Sequence, residues 1–141
     1  MNLELRLDRL ESEAAIAGLV HAYALAIRRD RPEDVAALFA PAGTFEVREG
    51  APDRDDASTM QRFDDPPALV AYLLQGKGRP HPVPMIHNLI IKLNGNDAHA
   101  SSVMVGPIPG TTHQVLGEYA DSFVRLDGSW YFSARIFTVF R

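Results

Sequence analysis

The segment MIHNLIIKL (residues 85–93) carries a single histidine among aliphatic residues. Strict alternation puts His87, Leu89, Ile91 and Leu93 on one face and Asn88, Ile90 and Lys92 on the other. Lysine marks the wetter face, so His87 is expected to point inward. Two roles fit an inward histidine: a core residue bonded to a backbone carbonyl, or a proton-transfer group working near neutral pH. In GEYADSF (117–123), Tyr119, Asp121 and Phe123 share a face. On an inner face the Asp121 carboxylate must be paired, and Arg135 on the following strand-like segment is its natural partner. A structural ion pair and a catalytic carboxylate both satisfy that pattern. On an outer face the same residues line a sheet surface or a dimer interface. The third constellation is HAYALAIRRDR (21–31). Tyr23 lies on an apolar helical stripe, and at about 100° per residue Asp30 falls back onto that stripe, provided the helix runs one turn further, while Arg28 sits on its flank. Arg28 is either a solvated helix end, where cations are favoured, or the polar wall of a cavity, paired with a carboxylate or an anionic ligand.

Other chemistries find little support. His21, His81, His99 and His113 show no ligand-type pairing, so no zinc site is expected. The acid-rich stretch 48–65 lacks the alternating acids and glycine of a calcium loop. Neither a metal nor a cofactor is expected. Ser101, Ser102 and Ser122 have no nucleophile elbow around them, and GPIPG (106–110) lacks the lysine and helix of a phosphate cradle. The chain has no cysteine and a net charge of -4, with no basic patch for nucleic acid or an anionic membrane. The N-terminus has acids throughout and no signal-peptide pattern. No apolar run is expected to cross a membrane. A soluble cytoplasmic protein is the default expectation.

These residues need elements to position them. The 141 residues, 46% hydrophobic and 23% charged, suit a single domain, 1–141, with a substantial core. Ile16, Leu19, Val20, Tyr23 and Ile27 follow the spacing of a buried helical stripe, predicting one helix or two abutting ones over 3–29. Pro32 opens a second helix with Val35, Leu38 and Phe39 on its apolar side. A short strand follows over 44–47, then an exposed or mobile loop over 48–65. Asp65 caps a third helix beginning at Pro66. From residue 84 onward strands alternate with turns, Asn94 to Asp97 and Asp127-Gly128 marking hairpins. Helices followed by an antiparallel meander mean α+β. A curved sheet around the first helix leaves a pocket fit for a small molecule. The last strand carries large apolar side chains on both faces, so a homodimer through the outer sheet face is expected.

The segments AIAGLVHAYALAIRRDRPEDVAALFAPAGTFE, HNLIIKLNGNDA and GEYADSFVRLDGSWYFSARIF together resemble the SnoaL-like branch of the nuclear transport factor 2-like superfamily. The resemblance covers nearly the whole chain. It implies a cone: a strongly curved antiparallel sheet wrapped around a long N-terminal helix with two shorter helices, commonly dimeric through the sheet's outer side. The family includes scytalone and bile-acid dehydratases, polyketide cyclases, limonene epoxide hydrolase, small subunits of ring-hydroxylating dioxygenases, and proteins that only bind. Its dehydratases carry a tyrosine and, five residues on, an aspartate in the first helix. The tyrosine matches at Tyr23, but Arg28 stands in the aspartate's place. Their catalytic histidine aligns with Pro84, with His87 three residues further on, and a later pocket aspartate aligns near Gly106. Tyr119, Asp121 and Arg135 match the general pattern.

Two functions fit. One is cofactor-independent lyase, isomerase or cyclase chemistry on a hydroxylated cyclic or polyketide-like substrate. In it His87 shuttles a proton, Tyr23 or Tyr119 polarises an oxygen, and Asp121 orients or pairs. The other is a non-catalytic ligand-binding or subunit role, as in a ring-hydroxylating dioxygenase. Tyr119, Arg28, Asp30 and Arg135 are the candidate ligand-binding residues in either case.

Overall fold

The structure is a computed structural model that describes residues 2–141. Asn2 caps the first helix, its Oδ1 accepting from the Leu5 N–H at 2.9 Å. The helix α1 runs Leu3–Arg28 and buries Ser12, Ile16, Val20, Tyr23 and Ala26, the stripe expected from the spacing. By length and composition α1 passes for a membrane-crossing segment, with a window of mean hydropathy 1.3, contrary to expectation. Its apolar stripe, however, is packed on the sheet, with Ile16 and Val20 fully buried.

The chain then leaves the helix through a left-handed residue. Asp30 has φ 56°, the Arg31 N–H bonds back to the Ala26 carbonyl at 2.8 Å and the Asp30 N–H to that of Ile27 at 3.1 Å. This is the Schellman ending, with aspartate where glycine is favoured. The expected second helix is instead two 3-10 turns, Pro32–Asp34 and Ala36–Leu38. Phe39 already pairs with Phe132 in the sheet, so the chain has no room for a longer helix.

Strand β1 spans Phe39–Gly50, far more than the four residues expected, and β2 spans Ser58–Phe63. The expected loop over 48–65 thus holds a strand. Only Phe63 of β2 is buried, because β2 has a neighbour on one side alone and carries the polar side chains typical of sheet edges. Glu46 ties β1 to it, accepting from Thr59 Oγ1 at 3.0 Å beside Arg48 and Arg62. Helix α2, Pro66–Leu74, begins at Asp65 as expected, the Asp65 carboxylate accepting from the Ala68 N–H at 2.8 Å.

Four long strands follow: β3 Met85–Asn94, β4 Asp97–Pro107, β5 Gln114–Leu126 and β6 Ser129–Phe140. The six strands form one curved sheet in the order β2-β1-β6-β5-β4-β3. All neighbours are antiparallel except β1 and β6, which run parallel. The β5–β6 hairpin turns on Asp127 and Gly128, at φ 50° and 83°, the two positive values a two-residue primed turn requires.

At one end of the concave face Ile16 and Val20 pack with Phe123, Phe132 and Trp130. Phe132 is fully buried, with its ring 5.0 Å from Phe39 and 4.9 Å from Phe123. Phe132→Ala should therefore cost about 3–5 kcal/mol through lost transfer energy and the cavity left behind. Urea denaturation monitored by circular dichroism should show a lower midpoint with an unchanged slope.

Candidate functional site

The other end of the concave face is open. Between α1, α2 and the sheet lies a cavity of about 510 Å³, walled by Phe45, Phe63, Leu69, Leu73 and Phe137. That size and apolar character suit a small organic ligand. The polar groups reaching it are few, chiefly Tyr23, Tyr119, Asp30, His81 and Arg79.

Asp30 and His81 meet there. His81 Nε2 lies 3.2 Å from Asp30 Oδ1, and Asp30 Oδ2 accepts from the Gly78 N–H at 2.7 Å. The other ring nitrogen, Nδ1, donates to the Pro82 carbonyl at 3.0 Å. A carbonyl oxygen can only accept, so this bond fixes a proton on Nδ1 and leaves Nε2, beside the carboxylate, as the exchanging position. The side chains of His81 and Asp30 are 25% and 37% exposed, so protons can pass between the pair and solvent. The left-handed ending of α1 is what turns Asp30 back toward the cavity. The helix does not run a further turn to do so.

Beneath the tyrosines is a second polar cluster. Arg135 Nε donates to Asp121 Oδ1 at 2.9 Å and Nη2 to Oδ2 at 3.4 Å, both side chains having no exposed surface. The guanidinium carbon lies 3.6 Å from the Tyr119 ring centre and 4.4 Å from that of Tyr23. Burial pushes the Asp121 carboxyl up, and the ion pair with Arg135 pulls it back. Burial disfavours the charge on Arg135, but Asp121 and the two phenols hold it protonated. Burial also lifts the Tyr23 and Tyr119 hydroxyls above the ordinary phenol range, against the pull of Arg135.

Of the residues singled out in the sequence, Tyr23, Tyr119 and Asp30 reach the cavity. Asp121 and Arg135 form the expected pair but sit behind the tyrosines and do not line it. His87 points outward and is exposed, against expectation. The cause is a β-bulge between His87 and Ile90, where Asn88 takes φ 54°. The extra residue reverses the alternation, so Ile86 and Leu89 face inward and His87 does not. Arg28 is exposed at the helix end and does not line the cavity, which makes it the solvated terminus rather than a polar wall. His81 is the residue missed. It lies in GRPHPVP, where the prolines leave no periodicity from which an inward face can be read. Its proximity to Pro84, the histidine position implied by the resemblance, was the available signal. Among the described residues no three histidine or carboxylate side chains gather as a metal site would need.

The SnoaL-like domain family model matches residues 8–136. No curated protein matches the chain. Among solved structures, a protein of unknown function from Mycobacterium tuberculosis superposes with a TM-score of 0.77 at 22% identity, over 93% of this chain and 73% of that one. A Novosphingobium aromaticivorans protein provisionally named the beta subunit of an aromatic-ring-hydroxylating dioxygenase gives 0.76 at 20%, over 94% and 92%. One provisionally named a scytalone dehydratase, from the same organism, gives 0.68 at 24%, over 94% and 86%. At such identities the likeness speaks for the fold alone. The family match spans most of the chain and accords with the helix-wrapped sheet. The protein belongs to the SnoaL-like family.

Proposed function

We propose that the protein is a cofactor-independent lyase or isomerase for a small, mostly apolar, hydroxylated ring compound. The observation that carries this reading is the Asp30–His81 pair opening onto an apolar cavity. His81 Nε2 gives a proton to a departing hydroxyl or takes one from carbon, while the Pro82 carbonyl holds the ring and Asp30 steadies the protonated form. Tyr23 or Tyr119 donates a hydrogen bond to a substrate oxygen, helped by the guanidinium stacked behind them. Asp121 acts only through Arg135. The test is a screen of hydroxylated cyclic and polyketide-like compounds for loss of water or isomerisation, followed by mass spectrometry. His81→Asn should lower kcat by about 10²–10⁴-fold with an unchanged melting temperature. Asp30→Gly, chosen because glycine accepts the left-handed backbone freely, should also lose most activity. Wild-type turnover in His81→Asn would overturn the assignment.

The alternative is a ligand-binding or dioxygenase-subunit role, supported by Arg28 and Pro84 standing where the dehydratases carry acid and base. Ligand binding without turnover, or co-purification with a large oxygenase subunit, would favour it.

The tyrosines must stay neutral to donate. A phenol raised by burial keeps its proton in the folded chain after the unfolded chain has lost it, so stability should fall as pH rises above about 10. In a Tyr72→Phe/Tyr131→Phe background, ultraviolet difference spectra should show tyrosinate only as circular dichroism reports unfolding. Ionisation in the folded state would contradict the burial of Tyr23 and Tyr119.

We also propose a homodimer through the outer sheet face, where Val124, Tyr131, Ile136 and Phe140 remain partly exposed on neighbouring strands. Light scattering at micromolar concentration should give twice the 15.5 kDa chain mass, and Ile136→Glu should give the monomer. A monomeric wild type would remove this inference.

A further inference from the structure

We propose that the ligand carries a carboxylate on its apolar ring system and that Arg79 binds this group at the cavity mouth. The proposal rests on the cavity reading above and narrows its ligand class.

Arg79 is the one arginine or lysine that lines the cavity among the described residues. It lies on the strap joining α2 to β3, where its N–H bonds to the Gly76 carbonyl at 3.1 Å and Pro80 follows it. A proline after Arg79 disfavours helical backbone there, so the base of the side chain is fixed while the guanidinium stays at the wet rim. The neighbouring charges are already committed. Lys77 Nζ binds both Glu33 oxygens, at 3.0 and 3.2 Å. Asp30 is held by Gly78 and His81. No carboxylate is in ion-pair reach of Arg79 among the described residues.

The rest of the wall offers an anion no second lysine or arginine: beyond Asp30 and His81 its polar side chains are the uncharged Tyr23, Tyr72, Tyr119 and Gln75. Phe45, Phe63, Leu69 and Phe137 are apolar, and a carboxylate lodged against them would lose its hydration without compensation. At Arg79 it would instead meet a planar fork of donors that keeps its own water contact, so the desolvation cost stays small. The C-terminal end of α2 adjoins the same strap, and its partial negative charge weighs against any anion there, about twice as heavily against a doubly charged phosphate as against a carboxylate. A single guanidinium therefore suits a monoanion.

Calorimetry with 2-naphthoate, 2-naphthamide and 2-naphthyl phosphate tests this on wild type, Arg79→Gln and Arg28→Gln, the latter an exposed cation that does not line the cavity. Wild type should bind the carboxylate about tenfold more tightly than the amide, the scale of one charge-assisted contact. Arg79→Gln should erase that ratio without weakening the amide or shifting the melting temperature, and Arg28→Gln should keep it. Equal affinities in wild type, or an unchanged ratio in Arg79→Gln, would overturn the proposal while amide binding upheld the cavity reading. Tighter binding of the phosphate would overturn the carboxylate in favour of a phosphate ester. Failure of all three probes to bind wild type would defeat both readings.

Discussion

A guanidinium with no exposed surface lies at the middle of the concave face, and the interior is arranged around it. A buried charge persists only when it is paired, and removing one partner of such a pair costs about 3–5 kcal/mol. Arg135 is paired through Nε and Nη2 with Asp121, directly opposite it on β5, while its Nη1 is buried without a hydrogen-bond partner among the described residues. The faces of the guanidinium are covered by Tyr23, Tyr119 and Phe132, rings that favour a cation over their π-faces. Phe132 belongs to the packed end, whereas the two tyrosines form the cavity floor. The ion pair thus marks the boundary between core and cavity, and holds the phenols of the candidate site in place.

That position depends on one extra residue. The β5–β6 register shifts between Ser122 and Phe123, so that Phe132 and Arg135, three residues apart, both face inward. Under strict alternation they would face opposite ways. The pairing of Asp121 with Arg135 was legible in the sequence because it needs only neighbouring strands and opposite charges. The inward face of His87 was misread for a related reason. A bulge at Asn88 reverses the alternation there, and neither bulge leaves a mark in the hydrophobic pattern. The long helix, α2 with its Asp65 cap, and the Asp127-Gly128 turn were all legible, since each rests on local spacing or capping chemistry. Strand β2 was not, because a polar edge strand has no buried face from which to read a period.

The reactive end of the site was legible only in part. The helical stripe places Asp30 on the side of Tyr23 and Ile27, and that inference holds even though the helix stops at Arg28. Its partner could not be read. His81 is brought to Asp30 by long-range bonds of the strap, namely Gly78 to Asp30, Lys77 to Glu33, and the Val83 N–H to the Pro107 carbonyl at 2.9 Å. Such contacts are fixed by the completed fold, with no local signature. Two histidines lie close to the place where the family implies one. The bulge in β3 turns one of them out, and the strap turns the other in.

Two of the cavity's polar groups, Tyr23 and Asp30, are held with different rigidity. Tyr23 stands within α1 and packs between Phe45 and the Arg135 guanidinium. Asp30 lies seven residues further on, about 10 Å along the helix axis, on a residue whose left-handed backbone costs about 1–2 kcal/mol for a side chain other than glycine. Its bonds to Gly78 and His81 offset that cost, since hydrogen bonds to a charged group contribute about 1.5–3 kcal/mol each. The strain and the strap therefore sustain each other: loosening the strap frees Asp30 to relax, and relaxing Asp30 frees the strap. A ligand oxygen would be held at the buried phenols, while the proton-transfer pair sits where the helix ending and the strap hold each other.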